Sequence, residues 1–268
     1  MLNLSTYVLN YVLDDKGGEK PKQQRNNECM VSMIQRELSQ DLIRSISNKL
    51  SYDQFVLVDK RFSEINKFTS GIGQYIDGNE LKNIGKCHLE TYIERCECLT
   101  GKFMQNVAEI GGIIGGAKDK QVKALGEFGK NYGTLVQIIN DLGDYVPETT
   151  TQSIGKVYQD QYSDLRHGCL TFPAYYIVQY GNGIDREAVN NVRENVNASL
   201  EDCMEVTKAF VRLHGVKEIE HFARNYAERS KQALKIFDKC EARDFLSTML
   251  LIYKSNKYYD ALKSKYQF

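Results

Sequence analysis

Two short stretches of the chain gather oxygen donors at the ends of apolar segments. The first, "YVLDDKGGE", carries Asp14 and Asp15, with Glu19 four residues beyond Asp15 and therefore on the same face of a continuing helix. The second, "QIINDLGDY", carries Asn140 and Asp144 at the same four-residue spacing, with Asp141 between them. Ionised groups are costly to bury without a partner, so clusters of this kind face water, a base or a cation. Two facing helices that each project carboxylates can hold divalent cations. Magnesium prefers oxygen ligands, keeps several waters and shares phosphate oxygens, so the pair of clusters suits a diphosphate held through Mg2+. A single acidic pair is usually a solvated helix end. Two clusters that follow matching apolar segments weigh against that bland explanation.

The elements that must position these groups are helical. Prolines occur only at Pro21, Pro147 and Pro173, and the long segments between them show helical periodicity rather than strict alternation. The pattern predicts helices over 3–15, 27–49, 51–76, 79–114, 118–145, 171–181, 185–213, 215–237 and 241–254. Two real loops are expected, "KGGEKPKQQRNN" and "VPETTTQSIGK", and each directly follows one of the acidic clusters. With 268 residues, 42% hydrophobic and 26% charged, the chain can bury one large core, and a single all-α domain over 1–268 is expected.

Composition excludes several function classes. Thirty-five basic and thirty-five acidic residues balance, and no basic block tracks a phosphate backbone, so nucleic acid is excluded as a partner. The first residues, "MLNLSTYVLNYVLDD", show no basic segment before the apolar run and no cleavage site, and no apolar window reaches about 18 residues. Stable membrane insertion is therefore not expected. Seven cysteines form no regular framework, which implies reduced thiols and a cytoplasmic setting. In "CHLETYIERCEC" the residues Cys96 and Cys98 stand two apart on a helix and point to nearly opposite sides, so they read as inert buried thiols rather than zinc ligands.

Six segments in order resemble the trans-isoprenyl diphosphate synthase, or polyprenyl synthetase, family. "YVLNYVLDD" resembles the helix into its first aspartate-rich motif, and "SGIGQYIDGN" its Gly-Gln-x-x-Asp element. "CLTGKFMQNVAEIGGIIGG" is similar to its Lys-Thr segment, and "FGKNYGTLVQIINDLGDY" to its second aspartate-rich motif. "GKVYQDQYSDLRHGCLTFP" resembles the Gly-Lys, Asp and Thr-x-Pro signature, and "EHFARNYAERSKQAL" the C-terminal alanine-patterned helix.

The resemblance implies an all-α bundle around a deep central cavity, with the aspartate-rich motifs facing each other across its mouth. It implies Mg2+ held by Asp14, Asp15, Glu19, Asn140, Asp141 and Asp144, with Asp14, Asp15, Asp141 and Asp144 as the catalytic set. Gln137 and Thr100 match positions near the diphosphate, Gln74 a position in the pocket, and Lys156 the lysine after the second motif. The implied chemistry is metal-assisted loss of diphosphate from a prenyl diphosphate, followed by attack of an alkene on the allylic cation. Alanine at Asp141 or Asp144 is expected to abolish that chemistry while hardly affecting stability.

The chain also departs from the family pattern. Gly18 replaces the third aspartate of the first motif, and Arg25 alone stands near the place of its paired arginines. Leu99 replaces the lysine of the Lys-Thr pair, and Cys169 the lysine two residues before Thr171. Lys102, or Arg166 with His167, are the candidate substitutes, since phosphate accepts a point charge or a guanidinium fork. The family's first helices, with their isopentenyl diphosphate ligands, are expected to be missing. Three activities follow from this pattern: a prenyltransferase or prenyl diphosphate synthase, a terpene synthase on the same fold, and a non-catalytic subunit of a prenyl synthase. Family habit implies a homodimer, with a heteromer as the alternative.

Overall fold

The computed structural model describes residues 22–85, 87–146 and 161–253, together with Asp260, Leu262 and Ser264. Among these residues there is no β-strand, and the fold is an all-α bundle. The expected helix over 3–15 lies outside the described residues.

Helix α1 (Lys22–Ser45) leads to α2 (Tyr52–Ile65), which continues through wider π-type turns over Asn66–Gly73 and Ile76–Glu80. Ser51 starts α2 through a capping box: its side chain accepts the Gln54 backbone N–H, and the Gln54 side chain accepts the Ser51 N–H at 3.1 Å. The Gln54 amide also donates to the Ile113 carbonyl at 2.9 Å, which ties the start of α2 to the end of a later helix.

Helix α3 (Leu89–Cys96) runs through a π-type turn at Glu97–Gly101 into α4 (Lys102–Ile114). The expected helix over 79–114 thus begins ten residues late, because a connecting segment buries Leu81 and Cys87 against the core and pairs the Leu81 carbonyl with the Leu170 N–H at 3.1 Å.

The central element is α5 (Asp119–Gly143), which packs between α4 and α10 (Gly215–Ala233). Its approach to α4 depends on small residues. A Cβ at Gly129 or Gly133 would collide with the backbone carbonyls of Met104 and Thr100. Reciprocally, a Cβ at Gly101 of the facing turn would sit 2.7 Å from Thr134 Oγ1, and one at Gly112 2.8 Å from Leu125 Cδ1. Gly133→Ala is expected to push α4 away from α5 and to lower stability by about 1–3 kcal/mol, the usual cost of overpacking. A melting temperature unchanged from wild type would show that the crossing yields without cost.

Short α6 (Ser163–Arg166) precedes α7 (Phe172–Tyr180), α8 (Gly183–Val192) and α9 (Leu200–Arg212). The expected helix over 185–213 is two helices. Ser199 opens the second with a new cap, accepting the Asp202 N–H at 3.1 Å while the Asp202 carboxylate accepts the Ser199 N–H at 3.3 Å. After α10, α11 (Glu241–Met249) completes the described bundle. The main core joins Tyr92, Leu135, Ile138, Leu142, Tyr145, Leu165, Phe172 and Phe210 with apolar residues of α8 to α10.

Candidate functional site

The small-residue crossing of α4 and α5 sets the site's first contact. Because Gly133 lets the Thr100 carbonyl come close, the Thr100 hydroxyl reaches Gln137 one turn later and donates to its Oε1 at 2.5 Å. The Gln137 amide nitrogen donates onward to Asp141 Oδ1 at 2.8 Å. Asp141 is fully buried, and its Oδ2 accepts from the Tyr92 hydroxyl at 2.8 Å and from Arg95 Nη1 at 2.7 Å.

Arg95 is the hub of this end of the bundle. It is 3% exposed, yet its guanidinium meets carboxylates from three elements: Asp77 through Nε at 2.5 Å, Asp141 at 2.7 Å and Asp164 through Nη2 at 3.7 Å. Burial pulls its proton affinity down, but the carboxylates of Asp141 and Asp77 outweigh that and hold it well above its ordinary value. Burial likewise pushes the Asp141 carboxyl up, against the pull of Arg95 and the hydrogen bonds from Arg95 and Gln137. Burial first, then the Asp141 charge, keep the Tyr92 phenol protonated well above its usual range, so it serves as a donor. The cysteines nearby, Cys96 and Cys169, are buried, and burial raises both thiols. Both read as inert packing, as expected for Cys96.

Asp144 terminates α5 as its C-cap and is 6% exposed. Its carbonyl accepts the Tyr162 N–H at 3.0 Å and its carboxylate accepts the Asp164 N–H at 3.5 Å. Tyr162 adopts a left-handed backbone, φ 54°, and its hydroxyl is 2.6 Å from that of Thr207. Thr207 in turn donates to the Tyr145 carbonyl at 3.1 Å. This buried ladder brings α6, with Asp164, against the end of α5. Asn140 lies at the same end and is exposed.

The sequence-derived residues therefore divide. Thr100, Gln137, Asp141 and Asp144 come together, and Gln74 stands half-buried just before Asp77. Lys102 and Arg166 turn elsewhere. The Lys102 ammonium lies 5.2 Å from the Phe68 ring centroid and donates to Gln105 at 3.0 Å, while Arg166 Nη2 donates to the Ala198 carbonyl at 3.0 Å. Asp14, Asp15, Glu19 and Lys156 lie outside the described residues, as does the side chain of Arg25. Sequence reasoning missed Arg95, whereas Asp77 stands in the Gly-Gln-x-x-Asp resemblance and Asp164 within the segment "GKVYQDQYSDLRHGCLTFP", neither with a role at the site assigned to it. The signal for Arg95 was present: Tyr92, Arg95, Cys96 and Leu99 repeat at helical spacing, which puts an arginine on an otherwise apolar face.

One expectation is corrected by this geometry. Asp141 is not a water-facing carboxylate whose loss leaves stability untouched, because inside the protein it accepts from Tyr92, Arg95 and Gln137, and more weakly from the Cys96 thiol at 3.9 Å.

Two oxygen donors at this end of α5, the exposed Asn140 amide and the buried Asp144 carboxylate, are of the kind that fits a hard cation. Magnesium commonly takes one or two protein oxygens and completes its shell with water and phosphate. Among the described residues no three His, Cys, Asp or Glu side chains form a complete metal-holding group. These donors would supply part of a coordination shell rather than a closed cage. Nor is any described helix long and apolar enough to cross a membrane.

A decaprenyl-diphosphate synthase from Dictyostelium discoideum is 25% identical over 183 residues, 68% of this chain and 38% of that protein. A prenyl transferase from Synechocystis is 26% identical over 183 residues, 65% of this chain and 52% of that protein. The chain thus matches about half, or less, of these relatives' length. In fold it is similar to the crystal structure of a decaprenyl diphosphate synthase from Rhodobacter capsulatus, with a TM-score of 0.76 at 18% identity, covering 95% of this chain and 76% of that one. A family model described as polyprenyl synthetase matches residues 37–210, which include Asp77, Arg95, Asp141 and Asp164. On that match over most of its length, the chain belongs to the polyprenyl synthetase family.

Proposed function

We propose that the protein is a magnesium-dependent prenyltransferase or prenyl diphosphate synthase, which ionises an allylic prenyl diphosphate and joins it to an acceptor. The observation that carries this reading is the acidic end of α5, where Asn140 and Asp144 stand over the Thr100–Gln137–Asp141–Arg95 network. Asn140 and Asp144 would hold Mg2+ together with Asp14, Asp15 and Glu19. The bound ion would neutralise charge on the departing diphosphate oxygens.

The chain's own side chains have distinct tasks in this reading. Asp141 spends its acceptor capacity inside the protein and fixes Gln137. One N–H of the Gln137 amide goes to Asp141, and the other is left to donate to a phosphate oxygen. Arg95 offsets the carboxylates behind the rim, so the substrate's negative charge meets less repulsion there. Gln74, at the end of the π-type turn that leads to Asp77, would line the substrate pocket, as the family resemblance implies.

A terpene synthase on the same fold is the second reading, favoured by Asn140, because terpene cyclases resemble this chain in beginning their second metal motif with asparagine. One experiment separates the two. The protein is incubated with Mg2+ and each of the C10, C15 and C20 allylic diphosphates, with and without isopentenyl diphosphate. Longer prenyl diphosphates that form only with isopentenyl diphosphate support the transferase. Hydrocarbons or alcohols from the allylic substrate alone support the cyclase. No diphosphate release under any condition defeats both and leaves the non-catalytic subunit.

We further propose a homodimer. Helix α1 exposes Met30, Met33, Ile34, Leu38 and Leu42, and α2 adds Tyr52, Val56 and Leu57. The spacing of Met30, Ile34, Leu38 and Leu42 makes a stripe along one face of α1. A contiguous exposed apolar face of this kind marks an interaction surface. Leu38→Asp, which places a charge in mid-stripe, is expected to shift sedimentation from dimer to monomer. A sedimentation profile identical to wild type would remove α1 from the interface.

A further inference from the structure

Leu99 and Cys169 stand at the positions of the two replaced lysines, and of the candidate substitutes among the described residues Lys102 and Arg166 are engaged elsewhere. Arg95 lies one turn before Leu99 on the same continuous helix, and its guanidinium reaches Asp77, Asp141 and Asp164. We infer that Arg95 carries, one helical turn earlier, the positive charge that would otherwise stand at position 99, and that it acts as a positioning residue for diphosphate binding.

The assignment follows from three features of the geometry. First, the carboxylates come from separate elements: Asp77 after α2, Asp141 in α5 and Asp164 in α6. Without a cation among them they would repel one another and splay the end of the bundle. A guanidinium suits this task better than an ammonium, because its planar fork offers donors in several fixed directions. Second, the effect of Arg95 passes outward. By holding Asp141 it fixes the acceptor that orients the Gln137 amide, and Gln137 Oε1 in turn accepts a hydrogen bond from the Thr100 hydroxyl at 2.5 Å. Third, positions 95 and 99 address one region from successive turns. A Cβ at Gly73 would sit 2.7 Å from Leu99 Cδ2, so Leu99 faces the turn that leads through Gln74 to Asp77, the aspartate bound by Arg95.

The inference rests on the prenyl diphosphate reading, and its test is built to separate the two. The probe is inorganic pyrophosphate with Mg2+, titrated calorimetrically into wild type, L99K, R95L and R95L/L99K, with a melting curve recorded for each. L99K, which adds a second cation facing the same region, should bind pyrophosphate several-fold more tightly. R95L should bind roughly tenfold more weakly or worse, a difference readily resolved by titration. R95L/L99K should recover most of that affinity while its melting temperature stays low, because a lysine supplies the charge but not the fork. Recovery of binding without recovery of stability is the signature that a purely structural ion pair would not give.

A folded R95L/L99K that binds as poorly as R95L overturns the inference, and so does an L99K protein with unchanged affinity. The L99K arm decides the matter if R95L fails to fold. Wild type that takes up no pyrophosphate with Mg2+ defeats the prenyl diphosphate reading and this inference with it, whereas failure confined to the position-99 variants defeats the inference alone.

Discussion

Asp141→Ala is expected to destabilise the protein by roughly 3–5 kcal/mol, because it removes the acceptor of a buried guanidinium, a buried phenol and a half-buried amide together. The three donors are Arg95 Nη1, the Tyr92 hydroxyl and Gln137 Nε2, at 2.7 to 2.8 Å. Two effects compete in setting the size of the loss. Each orphaned buried donor costs about 1–3 kcal/mol, which pushes the total up. Asp77 and Asp164 stay beside Arg95 and still offset its charge, which keeps the cost from growing further. The melting temperature should fall by roughly 10 °C at the usual conversion for a chain of this size. Asp141→Asn keeps a carbonyl acceptor of the same shape and should fall less. A melting curve for Asp141→Ala within about 2 °C of wild type would show that water enters and serves all three donors.

The same residue shows where sequence reading reached its limit. The spacing Asn140, Asp141, Asp144 marks a chemical cluster, and its place at the end of a long helix follows from the apolar periodicity of 118–145. Which of the three faces inward depends on what the neighbouring helices bring, and α3 brings Arg95 and Tyr92. That partnership spans 46 residues in sequence for Arg95 and is invisible to local pattern.

Helix boundaries failed for a comparable reason. The segment 81–88 carries no proline to announce a break, and the break is stabilised by a distant pairing between the Leu81 carbonyl and the Leu170 N–H. By contrast, Ser199 and Asp202 form a capping box whose signature is present in the sequence, so the division of 185–213 was legible and was overlooked. The glycines of α5 were legible only as weak helix formers. Their purpose, a close crossing with α4 that joins Thr100 to Gln137, exists only once the two helices are packed.

Asp144 should behave in the opposite way to Asp141. Asp144→Asn is expected to lower magnesium-dependent diphosphate release by about a hundredfold or more, within the range seen when one transition-state charge partner is removed. Its stability should hold or rise by about 0.3–1 kcal/mol, because a carboxylate at a helix C-terminus opposes the macrodipole. Asp144 is the C-cap of a 25-residue helix, and the Asp164 backbone N–H of α6 approaches its carboxylate. The amide variant keeps an oxygen for the Asp164 N–H and leaves the Tyr162 N–H on the backbone carbonyl, so the clamp between α5 and α6 survives. What disappears is one negative charge at the end of α5. Mg2+ should therefore raise the melting temperature of wild type and leave that of Asp144→Asn nearly unmoved, since a ligand stabilises only the state that binds it. Equal magnesium-induced shifts in the two proteins, or diphosphate release by Asp144→Asn at the wild-type rate, would remove Asp144 from the metal site and return it to the role of a simple helix cap.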